Sequence, residues 1–153
     1  TEKKRKPNQI NSLNIDPYDL EKHNFHLQKK YKEIEENEVR YELYNTEDAD
    51  IYIASFGTTA RISKSVIDIA EKEGIKVGLI RPITLWPFPY KQVNEIAKKG
   101  KPILTVELNA GQMVEDVRLG ANGQCETPFY GRMGGVAPND TEIFNELKKY
   151  LKK

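Results

Sequence analysis

The stretch Lys101–Gly120, KPILTVELNAGQMVEDVRLG, decides the fold. Ile103, Leu104 and Val106 form a short apolar run rich in branched residues, the pattern of a strand buried on both faces. Glu107 and Asn109 end that run, and Gly111 supplies backbone freedom for a turn. Met113, Val114 and Val117 then recur at helical spacing, with Glu115, Asp116 and Arg118 on the opposite side. This is one strand–turn–helix unit of an α/β sheet. Its turn, Asn109-Ala110-Gly111-Gln112, falls at the carboxyl edge of the sheet, where open α/β folds place their working surface.

Similar units lie on both sides. Upstream, Ile51–Phe56 reads as a central strand, and Gly57-Thr58-Thr59 opens a helix whose apolar face is Ile62, Val66, Ile69 and Ala70, closed by Gly74. Val77–Ile80 is the next strand and ends at Arg81-Pro82; the loop Ile83-Thr-Leu-Trp-Pro-Phe-Pro89 leads to a helix over Tyr90–Lys99. Downstream, Thr127–Tyr130 is a last strand, Gly131–Gly135 a flexible loop, and Asn139 or Asp140 caps a final helix with Ile143, Phe144, Leu147 and Leu151 inward. The βαβαβαβα order requires a parallel sheet with helices on both faces. Before it, Val39–Tyr44 alternates like a half-buried edge strand. Its link to residue 51 is too short for a parallel crossover, so it is expected to run antiparallel.

Asp16-Pro17 reads as an N-cap followed by proline in the first turn of a long charged helix. Leu20, Leu27, Tyr31 and Ile34 give that helix an apolar stripe too narrow for a core helix, expected to lie along a partner or along the domain behind it. The chain therefore divides into a basic arm or linker over 1–15, an extended helix over 16–37 and an α/β domain over 38–153.

With 24 Lys+Arg against 23 Asp+Glu the net charge is +1, so no global field points to nucleic acid. The basic run Lys3–Lys6 is read as a solvated arm or linker. The single cysteine, Cys125, excludes an internal disulfide and any cysteine-held cluster within this chain, and reads as an inert small apolar residue. No apolar run approaches the roughly 18 residues of a membrane span, and no signal-peptide pattern opens the chain; a cytoplasmic location is expected.

The four carboxyl-edge loops are Gly57–Thr59, Pro82–Pro89, Glu107–Gln112 and Gly131–Gly135. They are rich in Gly, Pro, Asn and apolar residues and poor in the lysines that cover the helices. An Ile-Thr-Leu-Trp-Pro-Phe-Pro loop left in water is an apolar patch, so another protein or domain is expected to cover this edge. Gly57–Thr59 either holds a phosphate on helix N–H groups or is a bare cap; it lacks both glycine-rich phosphate fingerprints, and the cap is favoured. Glu107 is either a general base or the partner of Arg132, and the pair is favoured. Arg81 binds an anion or makes an interface salt bridge. His23 and His26 sit three apart on the long helix, but nothing nearby completes a metal site. No complete active site is present.

Three segments carry a resemblance: Arg81–Pro89 (RPITLWPFP), Glu107–Arg118 (ELNAGQMVEDVR) and Phe129–Gly135 (FYGRMGG), supported by Lys32–Glu42. Together they resemble the carboxyl-terminal region of the alpha subunit of 2-oxoacid:ferredoxin oxidoreductases, nearest to the 2-oxoisovalerate (ketoisovalerate) type. The resemblance implies a transketolase C-terminal-like domain: three layers, α/β/α, with a five-stranded mostly parallel sheet and an antiparallel first strand. It implies an enzyme that decarboxylates a 2-oxoacid on thiamine diphosphate, makes an acyl-CoA and CO2, and passes electrons through iron–sulfur clusters to ferredoxin.

The family's pyrimidine-binding domain, with its thiamine-activating carboxylate, is absent, and so are its diphosphate-binding and cluster-binding motifs. The chain is then one domain of a longer protein or a naturally split subunit. No catalytic, cofactor-binding or metal-binding residue carries over, and no cofactor is expected on this chain alone. Thiamine diphosphate, iron–sulfur clusters and coenzyme A are implied for the complex. Implied partners are the pyrimidine-domain, thiamine-diphosphate-binding, gamma and ferredoxin-like subunits, with ferredoxin reached through the complex; nucleic acid and membrane are not expected. Docking would use Arg81, Trp86, Phe88, Asn109, Gln112 and Arg132. The competing reading is a stand-alone flavodoxin-like module holding a small anion or nucleotide at Gly57–Thr59.

Overall fold

A computed structural model describes Lys4, Pro7 and residues 13–151 of the chain, so most of the basic arm, Lys3, Arg5 and Lys6 included, lies outside the described residues. The elements run α1 (Pro17–Asn37), β1 (Tyr41–Tyr44), β2 (Ile51–Ala54), α2 (Gly57–Lys72), β3 (Val77–Pro82), α3 (Tyr90–Ala97), β4 (Ile103–Glu107), α4 (Met113–Ala121), β5 (Phe129–Gly131) and α5 (Asp140–Lys148).

Caps written in the sequence start and stop the helices. Asp16 accepts from the N–H groups of Tyr18 and Asp19 at the head of α1. Asn139 and Glu142 form a reciprocal capping box on α5. Gly74 and Gly100 adopt φ of 74° and 70° just past α2 and α3, a conformation in which a side chain would be strained.

The five strands lie in the order β1-β3-β2-β4-β5. β3, β2, β4 and β5 are mutually parallel, and β1 runs antiparallel to β3 at one edge. β1 begins at Tyr41, two residues later than the alternation predicts. Its partner there is Pro82, which has no N–H to continue the ladder. Ile83 and Thr84 donate instead to the Arg40 carbonyl. Tyr41 and Leu43 remain 39% exposed, so the strand is less buried than its pattern suggests.

Two apolar cores sandwich the sheet. Tyr52, Ala54, Ile80 and Ile103 pack under Val93 and Ile96 of α3 and Met113 and Val117 of α4. Ile51, Ile53, Leu79, Leu104 and Val106 pack under Val66 of α2 and Ile143 and Leu147 of α5. The three-layer α/β/α architecture follows from this alternation.

Thr105, on the Ile103 face of β4, is fully buried, and its hydroxyl has no hydrogen-bond partner among the described residues. Thr105→Val keeps the shape and removes an unpaired polar group. It is expected to raise stability by about 1 kcal/mol, read as a higher thermal midpoint. A lower midpoint would mean that the hydroxyl is satisfied.

Candidate functional site

β2 is followed in the chain by β3 on one side and flanked by β4 on the other, so the connectivity reverses between β2 and β4. Open α/β sheets bind ligands in that crevice, against the helix N-termini above it. Here the chain fills the α4 end of the crevice itself. The Glu107 carboxylate, fully buried, accepts from the backbone N–H groups of Met113 (2.9 Å), Val114 (3.0 Å) and Gln112 (3.3 Å), and from Asn109 Nδ2 (3.0 Å). The positive end of α4 and its free donors are therefore spent on an internal anion.

This corrects the expected Glu107–Arg132 pair. Glu107 stands opposite Gly131 in the β4–β5 ladder, so Arg132, one residue on, points to the other face of the sheet. There it pairs with Glu142 of α5 at 3.0 Å. Buried and saturated with donors, Glu107 is not placed to act as a general base. Asn109 is likewise committed: its Oδ1 accepts from Gly111 N–H at 2.7 Å while Nδ2 donates to Glu107. What the turn exposes is Leu108, Ala110 and Gln112.

α2 opens differently. Its N-cap, Phe56, makes no side-chain cap bond, and the Thr59 hydroxyl turns back to the Phe56 carbonyl at 2.7 Å. Gly57, Ala60, Arg61, Lys64 and Arg81 line a shallow depression there, of about 290 Å³. Two of its three cations are engaged. Arg81 donates to one Glu42 oxygen at 2.7 Å and Lys64 to the other at 3.3 Å. The Arg81 bond first, and the Lys64 bond second, hold the Glu42 carboxyl below its ordinary value of 4.5. A lowered folded-state value contributes stability above the ordinary value and loses it as pH falls through the lower one. Glu42→Gln is thus expected to flatten the fall of the thermal midpoint on acidification below that value, a small effect at this exposed site.

The loop after β3 sorts its apolar residues. Ile83 (57%), Leu85 (44%) and Trp86 (54%) stand exposed, whereas Phe88 is 4% exposed and packs in the core beside Val93. Phe88 is therefore a core residue and not a free contact: the buried Pro87–Pro89 segment turns its ring under α3. Trp86 is met edge-on by Tyr31 of α1 at 5.7 Å, which ties the long helix to this edge. Leu108 is 45% exposed in the neighbouring carboxyl-edge loop. Sequence reading missed it because it sits between two polar residues. The signal available was an apolar side chain placed after the last residue of a strand.

A family model described as pyruvate:ferredoxin oxidoreductase core domain II matches residues 49–143, from just before β2 into α5. Ketoisovalerate oxidoreductase subunit VorB of Methanothermobacter marburgensis is 47% identical over 142 residues, which are 93% of this chain and 40% of that protein. The chain thus spans about 40% of the length of the curated relatives it matches first. Among solved structures, a 2-oxoglutarate:ferredoxin oxidoreductase from Magnetococcus marinus, with 2-oxoglutarate, coenzyme A and succinyl-CoA bound, superposes with a TM-score of 0.77 over 91% of this chain and 24% of that one, at 23% identity. A split-gene transketolase gives 0.60 over 72% of this chain and 41% of that one, at 14% identity. At these identities the two structures speak for a shared fold.

Proposed function

The chain belongs to the pyruvate:ferredoxin oxidoreductase core domain II family, and from that membership we propose that it is the structural, docking portion of the alpha subunit of a branched-chain (2-oxoisovalerate-type) 2-oxoacid:ferredoxin oxidoreductase. The observation that carries this is the identity to a ketoisovalerate oxidoreductase subunit along nearly the whole chain. The assembled enzyme would convert a 2-oxoacid and coenzyme A to an acyl-CoA and CO2, reducing ferredoxin. Thiamine diphosphate, bound elsewhere in the assembly, would supply the carbanion stabilisation that decarboxylation requires.

The residues of this chain do not fit those cofactors. One half-buried cysteine cannot supply the thiolates of an iron–sulfur cluster. Among the described residues no three His, Cys, Asp or Glu converge as a metal site, and α4 is already capped by Glu107. We therefore assign catalysis and cofactors to the pyrimidine-domain, thiamine-diphosphate-binding, gamma and ferredoxin-like partners. We take residues 38–153 as the docking domain and α1 as a clamp on a neighbour; Tyr18 and Phe25, 82% and 68% exposed, support the latter. Among the described residues no helix is long and apolar enough to cross a membrane, and we place the assembly in the cytoplasm. The stand-alone anion-module reading does not fit relatives that are oxidoreductase subunits, and Glu42 already engages two of the three cations at α2.

Ile83, Leu85 and Trp86 form the apolar part of the docking edge, with Arg81, Gln112 and Arg132 at its margin. Trp86→Ala, in the enzyme purified with its partners, is expected to weaken assembly by about 2 kcal/mol, as loss of a buried aromatic anchor does, while the melting of the domain changes little. Assembly and 2-oxoisovalerate-dependent ferredoxin reduction both unchanged would reject the docking reading. Reduction driven by 2-oxoglutarate and not by 2-oxoisovalerate would reject the substrate assignment.

A further inference from the structure

Asn122 and Gly123 close α4, and they are the one Asn-Gly pair in the sequence. The side-chain carbonyl carbon of an asparagine is an electrophile, and the next backbone nitrogen can reach it by closing a five-membered ring. A following glycine puts no Cβ beside that nitrogen and gives the chain the freedom to bring it round. Elsewhere the fold withholds the side chain: Asn37, Asn94, Asn109 and Asn139 each commit the side-chain amide to a hydrogen bond. At the end of α4 the bonds pass around the reacting groups. Asn122 N–H donates to the Arg118 carbonyl, and Gln124 N–H donates to the Ala121 carbonyl. Among the described residues, neither the Asn122 side-chain amide nor the Gly123 N–H has a hydrogen-bond partner. Both residues are exposed. They lie where α4 returns to the amino edge of the sheet, opposite the edge that carries Trp86.

The fold holds the two reacting groups apart. Asn122 is in the left-handed region, with φ 50° and ψ 42°. At that ψ the Gly123 nitrogen stands nearly opposite Cβ across the Cα–C bond. Ring closure needs the two on the same side, so the last turn of α4 must open first. We propose that Asn122 is a deamidation site gated by the opening of that turn. In the opened turn the Gly123 nitrogen gives its proton to hydroxide and attacks Cγ of Asn122. The new N–Cγ bond forms, the Cγ–Nδ2 bond breaks, and Nδ2 leaves as ammonia with a proton from solvent. Water then opens the cyclic imide. Cleavage at Cγ gives aspartate, and cleavage at the main-chain carbonyl gives isoaspartate, whose backbone is one carbon longer. Water is the only co-reactant, and nothing is oxidised or reduced. Either product sets a carboxylate at the C-terminal end of α4, where the helix dipole is already negative. This site stands apart from the function proposed above and does not depend on it.

The test is incubation of the enzyme, purified with its partners, at neutral and mildly alkaline pH. Peptide mass spectrometry then locates each converted asparagine and separates aspartate from isoaspartate. Conversion is expected at Asn122 ahead of every other asparagine, with both products, and faster at the higher pH. In urea that unfolds the chain it is expected to run faster by about tenfold or more, because the native turn must open first. Another asparagine converting first in the folded enzyme overturns the site. So does an intact Asn122 after a time in which the unfolded chain has converted another asparagine. Equal rates at Asn122 in the folded enzyme and in urea overturn the gate.

Discussion

Glu107→Ala is expected to lower the stability of the fold by about 4 kcal/mol, measured as a fall in the thermal or urea unfolding midpoint. The carboxylate accepts from four donors in a site with no solvent exposure. Truncation leaves the buried Met113 and Val114 N–H groups without a partner, and each unsatisfied donor costs about 1–3 kcal/mol. It also removes the anion bonded to the head of α4 and leaves a void where a methylene and a carboxylate stood. Glu107→Gln retains the volume and one acceptor, but turns an NH2 group toward N–H donors. It is expected to cost roughly half as much. An unaffected midpoint in Glu107→Ala would mean that water replaces the carboxylate at α4.

Gly131→Ala is expected to destabilise by about 3 kcal/mol or more. The added methyl would stand 2.3 Å from the Asn109 carbonyl oxygen and 2.4 Å from Cζ of Phe129. The phenyl ring can rotate away, but the carbonyl belongs to the loop that Glu107 and Asn109 hold. Relief therefore requires β5 to part from β4 or the loop to give up its bonds. The two substitutions strain the same unit from opposite sides, at paired positions of the β4–β5 ladder, so their costs are not expected to add. Equilibrium unfolding of both singles and the double variant measures this. A Gly131→Ala protein as stable as the parent would mean that the loop after β4 is pliant.

Much of the architecture was legible in local signals. The branched runs at Ile51–Ala54, Val77–Ile80 and Ile103–Val106 mark strands covered on both faces, and their alternation with amphipathic helices requires a parallel sheet. The short link from Tyr44 to Ile51 forces an antiparallel first strand. Asp16-Pro17 and the Asn139/Glu142 box place helix starts within a residue. The lysine-poor, proline-rich loop at Ile83–Pro89 stands out by composition, and the structure leaves its Ile83, Leu85 and Trp86 exposed.

The partnerships at that edge were not legible, because they depend on which face of the sheet each side chain meets. Glu107 and Arg132 lie at the ends of neighbouring strands, and opposite charge makes them natural partners on paper. A one-residue offset in the β4–β5 register sends them to opposite faces, and a period-two strand gives no intermediate choice. Trp86 and Phe88 are two residues apart in one loop and alike in composition, yet one lies against Tyr31 in the open and the other is in the core. By itself the sequence determined the class of fold and the direction of its strands, since these follow from periodicity, chain length and caps. Only the tertiary structure decided that the buried Glu107 carboxylate meets the head of α4 and not Arg132, because the pairing of β4 with β5 sets which face each side chain meets.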